Sequence, residues 1–175
     1  MRIARRADDG IRTGPAIPGA VMHLLLPIVA TLAALLLPVL GWQIAVIVAA
    51  VIGMLFPQTF AGWLAIACLA VGLLLVEPEP WQSMLAVLAV HLLHVLSCVL
   101  PAVPWRGPVV LAALRPTLRR FVVVQLVAQP MTFAALWLHA LDTTAVPAAA
   151  LVGAAALAVF AIFLVRRILG RSRGV

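Results

Sequence analysis

The chain reads as an all-α protein, a polytopic membrane helix bundle, and three observations carry that reading. Of its 175 residues 66% are apolar and 10% charged, with a mean hydropathy of +1.22. A soluble domain of this size cannot hide that much apolar surface. Uncharged apolar runs of bilayer length recur along it, and its twelve basic residues, all arginine, fall in three clusters. The composition excludes a soluble enzyme and a disordered chain, and two cysteines are too few for a disulfide scaffold. Absence of Lys, Asn and Tyr beside abundant Ala, Val and Arg points to a GC-rich bacterial genome, hence to the bacterial cytoplasmic (inner) membrane.

A bilayer core about 30 Å thick takes roughly 20 helical residues. Runs at 21–40, 82–100, 118–139 and 146–165 meet that length without an acid; only Arg119 and Arg120, at the start of the third, are basic. The tract 42–76, broken by Pro57 and Gln58, is too long for one ordinary span and short for two. Charge narrows its use, because short basic loops stay cytoplasmic. Arg2, Arg5, Arg6 and Arg12 precede the first run, Arg106, Arg115, Arg119 and Arg120 surround the 101–120 connection, and Arg166, Arg167, Arg171 and Arg173 follow the last run. The acids Glu77, Glu79 and Asp142 lie between these clusters.

With all three clusters inside, an even number of crossings separates residue 12 from residue 106. Two short helices, 42–56 and 59–76, satisfy this and give six spans with both termini cytoplasmic. A re-entrant hairpin at 42–76 satisfies it equally, with four spans. The tryptophans favour six: Trp42, Trp81 and Trp137 then lie near the outer interface and Trp63 and Trp105 near the inner one, as an aromatic belt requires. The organisation that follows is a basic cytoplasmic tail (1–20), a single transmembrane helical domain (21–166) and a second basic cytoplasmic tail (167–175). The first run is expected to remain as an anchor, being longer than a signal-peptide core and followed by no small-residue cleavage site.

In the 101–120 connection, prolines 101, 104, 108 and 116 punctuate a short apolar segment, and an interfacial helix is expected at 109–115. Arg106, Arg115, Arg119 and Arg120 there are candidates to hold anionic inner-leaflet lipid or to dock another membrane or cytoplasmic protein subunit. No Gly-rich phosphate loop or nucleic-acid motif is present, so nucleic acid is not expected as a partner.

Polar residues at lipid depth are the informative ones, because their exposure to hydrocarbon is costly. In the run 82–100, Met84, His91, His94 and Cys98 share a helical face at about 100° per residue; in 118–139, Gln125, Gln129, Thr132 and His139 do the same. Counted from the cytoplasmic ends, His94 and Gln125 lie about 10 Å deep, and His91 and Gln129 about 15 Å. The two stripes are expected to match if the helices pack together. His91, His94, Gln125, Gln129 and Thr132 therefore form a candidate intramembrane polar cluster, either hydrogen-bonding the helix pair or lining a solute or proton path. His91, His94 and Cys98 are competent metal ligands, but no fourth ligand is specified and His23 and His139 sit near opposite faces, so no metal or other cofactor is assigned.

Pro130 frees the carbonyl of Leu126, and Gln129 is the expected partner for it at a kink. Cys68 and Cys98 differ in depth by about 12 Å, too far for a disulfide. Small residues recur every four positions at Ala45, Ala49 and Gly53 and at Ala150, Ala154 and Ala158, marking close helix contacts.

No carboxylate lies within a span and no Ser, His and acid set is recognisable, so catalysis is not expected. The leading expectation is a non-catalytic multi-pass subunit of a larger inner-membrane assembly, transport or envelope-related. The alternative is a small-solute transporter or capture subunit using the polar faces at 82–100 and 118–139. The third is a metal or haem site at His91 and His94. In size and six-span topology the chain is similar to the substrate-capture subunits of energy-coupling vitamin importers, a resemblance of architecture that implies the second of these readings.

Overall fold

Prolines divide the apolar sequence into helices. The structure, a computed structural model, describes residues 14–76, 79–140 and 166. Expectations for the last run, the Ala150, Ala154 and Ala158 stripe, both terminal arginine clusters apart from Arg166, and the acids other than Glu79 lie outside the described residues. The chain divides into two compact units, Met1–Thr132 and Phe133–Val175.

The described helices are α1 (Gly19–Ala34), α2 (Leu40–Leu55), α3 (Ala61–Leu74), α4 (Pro80–Val99) and α5 (Leu111–Ala140). A 3-10 turn, Leu100–Ala102, extends α4, and two short strands, β1 (Ala16–Pro18) and β2 (Pro108–Val110), pair antiparallel with Ile17 opposite Val109.

Each boundary has a local cause. Pro38 has no N–H to offer the carbonyl of Ala34, where α1 stops; the chain tightens there, with Leu37 N–H bonded to that same carbonyl at 3.0 Å. Gln43 Nε2 then donates to Leu37 O at 2.6 Å, bracing the turn. Pro57 forces Phe56 out of the helical region (φ −125°, ψ 71°), which ends α2. At the start of α4, Pro80 occupies the first helical turn, and Gln82 Oε1 accepts the Glu79 N–H at 2.8 Å, one half of a capping box.

Three expectations change. The run 21–40 holds a helix of only 16 residues, because Pro38 cuts it short. The segment 109–115 is not a separate interfacial helix: Val109 and Val110 belong to β2, and Leu111 begins a 30-residue helix that continues through Pro116 and Pro130. The all-α reading gains a two-stranded ladder, which draws residues 16–18 of the expected N-terminal tail into the fold. The tract 42–76 forms two helices broken at Pro57 and Gln58, as expected, although each is slightly displaced.

Helices α1 to α4 close a ring in chain order: α1 packs on α2 and α4, and α3 packs on α2 and α4. Their core is made by Leu26, Ala30, Ala34 and Leu37, with Val46 and Ala50, Ala65 and Leu69, and Leu93 and Leu96 facing them. At one end, the backbones of α2 and α3 converge at two glycines, with the Ser97 side chain of α4 against them. A Cβ on Gly53 would lie 2.9 Å from the Gly62 nitrogen, and one on Gly62 would overlap the Ser97 hydroxyl. The Pro57 turn is therefore level with the last turn of α4. At the other end, a Cβ on Gly72 would meet Leu37 and Trp42, so the α2–α3 pair runs from the Leu37 end of α1 back to the level of Leu26.

The outside of the ring is as apolar as its inside. Leu24, Ile28 and Leu32 of α1, Leu35 just after it, and Ile44, Val48, Ile52 and Leu55 of α2 are all exposed. Two helices are long and apolar enough to cross a membrane, Pro80–Ala102 including its 3-10 turn and Leu111–Ala140, with hydropathies of 2.2 and 1.7. Only 22% of the first apolar window is buried, and of the second helix only Gln125, unlike the enclosed helix of a soluble core.

Candidate functional site

The polar side chains of α4 and α5 meet in a narrow seam. Gln125 is the one buried residue among those of α5, and its Nε2 lies 3.1 Å from His91 Nδ1. Because the amide nitrogen can only donate, that imidazole nitrogen accepts and the ring proton resides on Nε2. Phe121 covers the same ring, with centroids 4.7 Å apart. One turn along α5, Gln129 Nε2 donates to the Met84 carbonyl at 3.1 Å and to Gln125 Oε1 at 3.2 Å. The Thr132 hydroxyl turns back to its own helix and donates to Ala128 O at 2.9 Å.

The register differs from the depth-matched pairing of His94 with Gln125 and His91 with Gln129. The reason is the early start of α5. Counted from Leu111, Gln125 lies about 21 Å along its helix and Gln129 about 27 Å; counted from Ala102 through the 3-10 turn, His91 lies about 18 Å and Met84 about 28 Å. Gln129 also does not serve the carbonyl freed by Pro130, since its amide is spent on α4 and on Gln125.

His91 and His94 diverge. Three residues on an α-helix turn through about 300°, leaving the rings roughly 60° apart, and this is enough to send them to different neighbours. His94 meets Trp63 of α3 edge-on at 4.6 Å, and its Nε2 lies 4.0 Å from Cys98 Sγ. Cys68 and Cys98 are free thiols. Among the described residues no three His, Cys, Asp or Glu side chains cluster so as to hold a metal ion. His139 is exposed in the last turn of α5.

The arginines of the connection are all exposed. Arg106 sits in the turn before β2. Arg115, Arg119 and Arg120 line an open groove on α5 of about 780 Å³, with Ala112, Pro116, Val123 and Val124 as its apolar part.

Sequence reasoning passed over His23. Its ring is fully buried at the start of α1, stacks on Trp105 at 4.2 Å with 14° between the planes, and places Nε2 3.0 Å from Val103 O. A carbonyl only accepts, so Nε2 carries the proton; Nδ1 is buried without a hydrogen-bond partner among the described residues. Around this clamp, Gly19 N–H donates to Gly107 O at 2.9 Å and Leu111 N–H to Pro15 O at 3.0 Å. A Cβ on Gly19 would overlap the Pro104 carbonyl oxygen. The 103–111 connection is thus fastened to the start of α1. The available signal was a lone histidine three residues into an apolar run, at the same expected level as Trp105.

No protein-family model, curated protein or solved structure matches the chain.

Proposed function

We propose that the chain is a non-catalytic, multi-pass protein of the bacterial inner membrane, with six spans and both termini cytoplasmic, acting as a subunit of a larger membrane assembly. Helix α5 carries this reading. Among its thirty residues only Gln125 is buried, while Leu126, Val127, Met131, Phe133 and Trp137 are exposed, a surface for lipid and partner helices.

Support for six spans comes from α2 and α3, two consecutive apolar helices of 16 and 14 residues that pack on each other along their length. The tryptophans add to it: Trp42 and Trp81 stand at one end of the ring, Trp63 and Trp105 at the other, the spacing of an aromatic belt. Each glutamine amide of the seam has a hydrogen bond within the protein, which favours a packing role over solute capture. No Asp or Glu falls within α1 to α5, which favours a non-catalytic role.

Affinity purification from native membranes in mild detergent, with quantitative mass spectrometry, tests the proposal. A stoichiometric membrane partner is expected, and Val127→Trp together with Met131→Trp on the open face of α5 should release it. A partner-free chain under several gentle conditions overturns the assembly reading.

A further inference from the structure

Between the polar seam and the β ladder, α4 and α5 draw apart and leave an apolar groove of about 560 Å³. Leu92, Leu96 and Val99 form one wall and Leu114, Leu118 and Phe121 the other. The slot extends about 15 Å along α5, from Leu111 to Phe121, and the His91–Phe121 contact lies at its deep end. Of the described residues that line it, only Arg115 and Thr117 are polar. Arg115 also borders the basic groove that holds Arg119 and Arg120, so one guanidinium joins an apolar slot to a cationic shelf.

We propose that these two grooves form a binding site for one anionic phospholipid of the cytoplasmic leaflet. An acyl chain occupies the slot between α4 and α5, and the phosphate rests on Arg115 with Arg119 and Arg120 beside it. The proposal rests on the membrane reading above and adds a defined site to it.

Charge complementarity selects this occupant. Among the described residues, three guanidinium groups and no acid line the shelf, and a planar guanidinium donates two parallel hydrogen bonds to a phosphate. A zwitterionic headgroup would bring an ammonium against the same three cations. The wall chemistry selects a lipid over a free anion, because water gains nothing in an apolar slot whereas a hydrocarbon chain buries its whole length there. Arg115 stands one turn from the start of α5, where a headgroup belongs, and the slot runs from there toward the membrane interior.

The test uses the full chain, purified from membranes in mild detergent and reconstituted in phosphatidylcholine discs with or without phosphatidylglycerol. Native mass spectrometry should find one phosphatidylglycerol retained per chain, and the melting temperature should rise when that lipid is present. Arg115→Gln should weaken retention about tenfold and abolish the rise, while melting like the parent in phosphatidylcholine alone. Should that variant fail to fold, Leu118→Trp decides, because it fills the slot and should displace the lipid with every arginine in place. Arg106→Gln, outside both grooves, should retain it.

Equal retention of the two lipids, or undiminished phosphatidylglycerol on Arg115→Gln, overturns the proposal. So does an equal rise with inorganic phosphate in phosphatidylcholine, which would make the site one for a free anion, or a stoichiometric polypeptide seated there instead. Carbonate extraction separates the two readings: a chain that leaves the membrane defeats the membrane assignment itself, whereas a resistant chain without lipid preference defeats only this site.

Discussion

The ring of α1 to α4 and the helix α5 are held by different forces. Within the ring, backbones approach so closely that Gly53 and Gly62 leave no room for a methyl group, and Leu26, Val46, Leu69 and Leu93 are enclosed. Helix α5 makes no comparable backbone approach and is tied by side-chain hydrogen bonds from Gln125 and Gln129. Both regions are strongly apolar, α5 somewhat less so than α4. The difference lies in residue size: small residues let dispersion act over a whole helix face, whereas the bulky Val, Leu and Phe of α5 keep it at arm's length and leave polar groups to make the contact.

That contrast can be broken by measurement. Leu26→Ala should have the largest effect, about 2 to 5 kcal/mol, read as a lowered melting temperature of the detergent-solubilised protein. Gly62→Val should follow, at about 1 to 3 kcal/mol, by driving α3 away from α2 and α4. Gln125→Leu should cost about 0.6 to 2 kcal/mol and should lengthen a spin-label distance between α4 and α5 without altering one between α1 and α2. If it destabilises the protein as much as Leu26→Ala does, or opens the ring, the two regions are not separate in the way described. His23→Phe keeps the stack on Trp105 and loses the bond to Val103, for about 0.5 to 1.5 kcal/mol. Its sharper signature is faster proteolysis within 103–110, with melting nearly unchanged.

The break at Pro57 was legible because proline acts on its immediate neighbours. The seam was half legible. Its residue types stood out as polar groups in apolar runs, but their pairing depended on where α5 begins, and Pro116 set 109–115 apart as a separate interfacial helix. In the structure that proline removes only the hydrogen bond to Ala112, an exposed residue in the first turn. The ladder of Ala16–Pro18 with Pro108–Val110 was not legible at all. Three-residue strands containing proline carry no alternation to read, and their partners are about ninety residues apart in the chain.

That separation has a consequence in time. Proteins grow at about 5 to 20 residues per second, so Ala16 waits roughly 5 to 20 s before Val110 exists to pair with it. Throughout that interval the imidazole of His23 has neither Trp105 to lie against nor Val103 to receive its proton. The first helix is therefore made with an unmet polar group at its leading turn, and it takes its final seat only after Val110 has been added. A chain stopped before residue 103 holds the glycine contacts of α2 and α3 and still lacks the fastening that fixes where α1 begins.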